Sequence, residues 1–146
     1  MVKAQIVKLV SIGYDVHVEQ RLAAAEAYLL REEVGLVIVD VMMPTRDEEE
    51  EEAYPPEKTA SGYYSGFMFA HRMRARLEAL NAGVLFVSQL LRYKLDAGAG
   101  KFGVPLDLVF TKFELASNFE WFNDAVSRNF GSGVSFEDIS FDDIEA

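Results

Sequence analysis

Residues 35–44 read GLVIVDVMMP, and this stretch is the basis of the fold prediction. The aliphatic and β-branched residues of 35–41 run without polar alternation, which predicts a strand buried on both faces over 35–41. Residues 18–34 before it and 69–80 after it repeat apolar side chains with the period of an amphipathic helix. Because apolar runs recur at 84–88 and 106–112, the sequence predicts an α/β domain with a three-layer, doubly wound parallel sheet.

Caps, prolines and glycines indicate the other segments. Residues 44–65 contain three of the four prolines and a run of acids, which predicts a loop. Residues 90–95 predict a short helix before the glycine-rich AGAGKFG. Ser117 and Glu120 predict a capping box that opens a last helix over 118–129.

The first dozen residues allow two structures. Residues 2–12 place apolar side chains on one helical face, which favours an N-terminal helix closed by Gly13. The β-branched residues of AQIVKLV and YDVHVE also suit two strands joined by a turn. With the helix, which we favour, we expect a sheet of four strands.

The composition limits domain number and chemistry. A chain of 146 residues, 50% of them hydrophobic, is long enough for one core. We predict one domain over 1–130 and an acidic tail over 131–146. The absence of cysteine excludes disulfide and thiolate chemistry. The apolar runs are far shorter than the roughly 20 residues that cross a bilayer, so we expect no membrane contact and a cytoplasmic location.

Acidic residues concentrate in two segments of a chain whose formal net charge is −10. A nucleic-acid backbone repels such segments, so we expect no nucleic-acid binding and consider a basic protein partner. The tail repeats SFEDI and SFDDI, with apolar anchors between acids that suit docking on a groove. The alternative for these segments is a solvated loop and a disordered end. The predicted partner-binding residues are Asp47, Glu48, Glu49, Glu50, Glu51, Glu52, Phe136, Ile139, Phe141 and Ile144.

Three polar residues end the predicted strands: Asp40, Ser88 and Lys112. Function in parallel sheets gathers at the carboxyl ends of the strands, so these residues are the candidate site. A single aspartate at a strand end also serves as a structural cap, and that alternative stays open for Asp40.

The order of the motifs resembles the receiver domains of bacterial response regulators, which have a flavodoxin-like fold. The matching motifs are GYDV at 13–16, LVIVDVMMP at 36–44, SGFMFAHRMR from 65 onward, VLFVS at 84–88 and VFTK at 109–112. The similarity runs from about residue 2 to residue 127.

This resemblance implies a role for each strand-end residue. Asp40 would accept a phosphoryl group as an acyl phosphate. Ser88 and Lys112 would contact that phosphoryl group. Mg²⁺ would be bound by Asp40 and the backbone carbonyl of Met42.

The chain also departs from the receiver pattern. Receivers hold Mg²⁺ with an acidic pair after their first strand, and the family's spacing places that pair and strand before Met1. We therefore expect an N-terminally incomplete fold and weakened Mg²⁺ binding. Val109 stands where receivers usually carry an aromatic residue, and Phe113 stands where they carry a proline.

The resemblance implies a stand-alone signalling module of a bacterial phosphorelay of the two-component type, without an enzymatic turnover of its own. Asp40 is then either phosphorylated or a degenerate acceptor. The expected partner is a histidine kinase or a downstream effector, and a homodimer with exchanged elements would fill the gap in the sheet. The alternative is a constitutive pseudo-receiver whose acidic loop and tail hold a basic partner.

Overall fold

The structure is a computed structural model that describes residues 3–140. It is an α/β fold with a parallel sheet of three strands in the order β1-β2-β3. The strands are β1 (Leu36–Asp40), β2 (Gly83–Ser88) and β3 (Val109–Thr111). All three run the same way, so their carboxyl ends meet at one edge of the sheet.

Helices occupy most of the remaining described chain. They are α1 (Lys3–Ser11), α2 (Leu22–Arg31), α3 (Glu48–Ala53), α4 (Pro56–Thr59), α5 (Ser65–Arg72), α6 (Arg74–Leu80), α7 (Arg92–Lys101), α8 (Lys112–Ser117) and α9 (Phe119–Asn129). The strand predicted over 106–112 is shorter in the structure, because Leu106–Leu108 form a 3₁₀ turn before β3 and Lys112 begins α8. In the part of the chain described here, no helix is both long enough and apolar enough to cross a membrane.

The helices cover both faces of the sheet. Phe86 is in register with Val109, and Phe110 is in register with Val87, so Phe86 and Phe110 project from opposite faces. The Phe86 ring packs on Phe67 of α5 at 5.0 Å between centroids, and the Phe110 ring packs on Phe122 of α9 at 5.3 Å. Every residue of β2 is buried, as the prediction of a strand covered on both faces requires. The same prediction is wrong for β1, where Val39 is buried and the other four residues are partly exposed, because β1 lies at the edge of the sheet.

The N-terminal segment is helical, as we favoured, and not a hairpin. The expected count of four strands is wrong for residues 3–140: the sheet there has three strands, and residues 14–20 between α1 and α2 form none. Within those residues, β1 pairs with a neighbouring strand on the β2 side alone.

The prediction of a loop over the acid run is wrong. Asp47 caps α3, accepting the backbone N–H of Glu50 at 2.9 Å. Glu50 turns inward and is 3% exposed, and its carboxylate accepts the backbone N–H groups of Ala23 at 2.8 Å and Arg46 at 2.7 Å. The acid run is helical because one of its acids binds the N-terminus of α2.

Three other helix predictions need correction. The helix predicted over 90–95 is α7, which continues through the glycine-rich segment to Lys101. The helix predicted over 69–80 is divided at Met73. The capping box lies at Thr111 and Glu114 on α8, whereas Asn118 caps α9.

Candidate functional site

The carboxyl ends of β1 and β3 bring Asp40 and Lys112 together. The Lys112 ammonium lies 3.2 Å from Oδ2 of Asp40. About a quarter of each side chain is exposed, 27% for Asp40 and 20% for Lys112. The ion pair is therefore partly shielded from water and still open to a small ligand.

The loop after β1 fixes the Asp40 carboxylate. Its Oδ1 accepts the backbone N–H of Met42 at 3.1 Å. The Ser65 hydroxyl accepts the N–H of Met43 at 2.9 Å and donates to the Met43 carbonyl at 2.5 Å. The N–H of Gly66 donates to Val41, and any Cβ at Gly66 would collide with the Asp40 carbonyl. The first turn of α5 therefore holds the loop after β1 against the end of that strand.

Ser88 ends the central strand and is fully buried. Its register partner is Thr111, the residue before Lys112, while Asp40 pairs with Val87. The Ser88 hydroxyl accepts the backbone N–H of Leu90 at 3.1 Å and so shapes the turn into α7. All three predicted residues lie at one edge of the sheet, and Asp40 and Lys112 are in contact.

An open groove of about 710 Å³ adjoins this edge, lined by residues 88–92 and 111–114. Arg92 bridges its walls, donating to Glu114 at 3.0 Å. Large side chains beside it are unusually exposed: Leu91 is 65%, Tyr93 68% and Phe113 80% exposed. Sequence analysis did not identify this apolar rim, although Phe113 was noticed as a departure from the receiver pattern.

The donor set at the strand ends does not fit Mg²⁺. In the stretch from residue 3 to residue 140, no group of three or more His, Asp or Glu side chains could hold a metal ion. Mg²⁺ requires a nearly octahedral set of oxygen ligands. Asp40 would provide one carboxylate and Met42 one carbonyl, and an ammonium already pairs with that carboxylate.

The two acidic segments differ from their predicted state. Asp47 pairs with Arg21 at 2.9 Å and, like Glu48, Glu49, Glu51 and Glu52, is exposed to solvent. Glu50 was among the predicted partner-binding acids, with a solvated loop as the alternative, but its carboxylate is buried against α2. The backbone N–H of Glu50 is the main cause that lowers the pKa of Asp47, and Arg21 acts in the same direction.

Two predicted tail anchors pack against this chain itself. Phe136 is 3% exposed and belongs to the core, and Ile139 packs partly buried beside it. Phe141 and Ile144 lie outside the described residues.

A cluster of Glu26, Tyr54 and Arg72 was missed by sequence analysis. Arg72 donates twice to the Glu26 carboxylate at 3.1 Å, and the Tyr54 hydroxyl also donates to it. Burial, followed by the adjacent Glu26, raises the pKa of Tyr54. The three residues come from segments far apart in sequence, so no local sequence pattern could predict the cluster. Because the Tyr54 hydroxyl and the Arg72 guanidinium both donate to Glu26 within the cluster, we assign it a packing role.

No protein-family model matches this chain, and neither a curated protein nor a solved structure matches it significantly. The resemblance to receivers therefore rests on the residues of this chain alone.

Proposed function

We propose that this chain is a receiver-like phosphoacceptor module with a flavodoxin-like, doubly wound fold, and that Asp40 takes up the phosphoryl group. The observation that carries the proposal is the contact between Asp40 and Lys112 at the carboxyl ends of β1 and β3, the two strands that flank β2 in a parallel sheet. A nucleophilic carboxylate beside a fixed cation is the arrangement that acyl-phosphate formation needs.

The chemistry follows from these contacts. A carboxylate oxygen of Asp40 attacks the phosphorus of a donor such as acetyl phosphate. The bond from phosphorus to the acetyl oxygen breaks, and acetate leaves with the electron pair. The Lys112 ammonium, 3.2 Å from the carboxylate, offsets the charge of the transferred group. The N–H of Met42 keeps the carboxylate oriented toward the strand end.

The neighbouring groove supports a role in protein contacts. Its floor includes Ser88 and Lys112, and its rim carries the exposed apolar side chains of Leu91 and Phe113. Exposed apolar surface next to a charged site is typical of protein interaction surfaces. A change in charge at Asp40 would act through Lys112, which pairs with Asp40 and lines the groove that a kinase or effector would contact.

The test is incubation of the full chain with acetyl phosphate, with and without added Mg²⁺, followed by intact-mass measurement. We expect one phosphoryl group per chain, abolished in Asp40→Asn and reduced in Lys112→Met. Asp107→Asn, an exposed aspartate beside β3, is the matched control and should be labelled normally. No adduct at any Mg²⁺ concentration, or an adduct that persists in Asp40→Asn, would overturn the proposal.

A second candidate function is a constitutive module that holds a basic partner. The observation that favours it is the exposure of four of the α3 glutamates, while Glu50 anchors their helix. The test compares Gln replacements of the exposed set with a control set that removes the same charge elsewhere. The exposed set is Glu48, Glu49, Glu51 and Glu52, and the control set is Glu32, Glu33, Glu57 and Glu78.

The probe for this candidate is an oligolysine peptide titrated at several salt concentrations. If α3 is the binding surface, its four replacements lower the affinity and flatten the salt dependence more than the control set does. Equal effects of the two sets would show a response to net charge alone and would reject α3 as the surface.

A further inference from the structure

The C-terminal segment lies in a groove on the Phe86 face of the sheet, which we call the tail groove and define by His71, Arg74, Phe86 and Gly103. The Phe136 ring meets the His71 ring edge-on at 4.9 Å and the Phe86 ring at 6.4 Å. The Arg74 guanidinium lies over the Phe136 ring at 5.1 Å and donates to the Phe136 carbonyl. This side of the groove therefore recognises both a ring and the backbone that carries it.

The residues that follow Phe136 in the same segment also contact the tail groove. Ile139 packs partly buried against the core, and its methyl group is 3.9 Å from where a Cβ on Gly103 would lie. Between the two anchors, Glu137 and Asp138 are exposed. Asp138 opposes the effect of burial, which lowers the pKa of His71, so its charge acts on that ring. The groove thus selects a Phe and an Ile three positions apart, with acids between them.

The chain carries this pattern twice. SFEDI over 135–139 is followed directly by SFDDI over 140–144. The two copies have the same Ser, Phe, Asp and Ile and differ at the third position alone, where Glu137 corresponds to Asp142. Because the Glu137 side chain is exposed to solvent, the one difference between the copies lies at a position that the tail groove does not enclose.

We propose that the tail groove is a binding site for the motif Ser-Phe-acid-Asp-Ile, and that residues 140–144 bind in it in exchange with residues 135–139. Gly133, whose N–H donates to Asn81, anchors the connection to α9. If the second copy binds in the groove, the segment between Gly133 and the bound phenylalanine is five residues longer than with the first copy. The added cost in loop-closure entropy makes the second copy's occupancy roughly fourfold lower than that of the first. The first copy therefore occupies the groove most of the time, and the second copy binds when the first is displaced.

The experiment measures the shift of the His71 imidazole protons by NMR in the full chain at neutral pH. Phe136→Leu keeps an apolar side chain in the groove but loses the edge-to-face ring contacts and the cation–π contact, on the order of tenfold in occupancy. This exceeds the cost of the longer connection, so Phe141 should replace it. Phe102, 6.0 Å from the His71 ring, contributes the same shift in every variant, so the readout is the part that a tail phenylalanine induces. We expect Phe141→Leu to resemble the wild type, Phe136→Leu to keep most of that part, and the double variant to lose it.

His17, stacked on Tyr28 elsewhere in the chain, is the internal control and should keep its signal in every variant. If Phe136→Leu alone loses as much of the shift as the double variant, the second copy does not bind. If the double variant keeps the full shift, the groove does not recognise a tail phenylalanine. If Phe136→Leu keeps the shift but sediments as a dimer, the motif comes from a second molecule and exchange within one chain is overturned.

Discussion

Asp40 and Glu50 lie near each other in sequence, yet their surroundings use the two carboxylates differently. Glu50 is 3% exposed, and each of its oxygens accepts a backbone N–H group. Asp40 is partly exposed, and its oxygens accept one backbone N–H and one lysine ammonium. Glu50, whose Oε1 also lies 3.7 Å from the Arg21 guanidinium, is buried and supports the fold, whereas the Asp40 carboxylate is partly exposed at an open edge of the sheet.

The largest expected effect is that of Glu50→Ala. It leaves the backbone N–H groups of Ala23 and Arg46 without their charged acceptor, so we expect the free energy of unfolding to fall by about 3 kcal/mol. Urea denaturation of the full chain measures this. Glu51→Ala, an exposed acid on the same helix, is the control and should change stability little. Equal losses of unfolding free energy in the two variants would contradict the claim that the buried Glu50 stabilises the fold more than an exposed acid does.

A smaller effect, and one that depends on pH, is expected at Asp47. The pKa of Asp47 is lowered in the folded state, so the unfolded chain binds the proton more readily as pH falls. The stability that Asp47 contributes over Asp47→Ala is complete above its ordinary pKa of 3.8 and is lost as pH falls through the lower folded value. Denaturation at a series of acidic pH values measures that difference.

The control for Asp47 is Asp47→Asn, which keeps a capping oxygen without a titrating group. Its stability relative to Asp47→Ala should show no comparable loss at acidic pH. A wild-type advantage over Asp47→Ala that is the same at all pH values would contradict a charge-dependent cap.

The smallest effect is expected at the candidate site itself. In a double-mutant cycle of Asp40→Asn and Lys112→Met, we expect a coupling of about 0.5 kcal/mol, because the pair is partly solvated. The cycle is measured by urea denaturation, with the phosphorylation assay run on the same variants. A coupling as large as the loss in Glu50→Ala would place Asp40 among the structural carboxylates.

The strands could be predicted because a continuous apolar run without alternation is a local pattern. The prediction over 35–41 differs from β1 (Leu36–Asp40) by one residue at each end, and Asp40 and Ser88 end their strands as expected. The prediction over 106–112 was too long, so Lys112 follows the end of β3 as the first residue of α8. That Asp40 and Lys112 touch depends on β1 and β3 flanking the same strand, which the order of motifs made a reasonable expectation.

The helices were harder to predict because distant contacts decide them. In the sequence, Glu50 cannot be distinguished from the other acids of its run. It differs from them in the folded chain alone, where it accepts an N–H group at the N-terminus of α2. Gly98 reads as a helix breaker, but the Tyr64 ring lies against it and leaves no room for a side chain, so a glycine is required within α7. Thr111 with Glu114 and Ser117 with Glu120 carry the same capping pattern, and the tertiary structure selects the first pair.

The central position of β2 also has a consequence for the order of folding. The connection between β1 and β2, residues 41–82, is about twice as long as the connection between β2 and β3, residues 89–108. Closing the longer connection loses more chain entropy, and long-range contacts form slowly. We therefore expect β2 and β3 to associate first and β1 to join them afterwards, which makes the contact between Asp40 and Lys112 a late event and a signal that the sheet is complete.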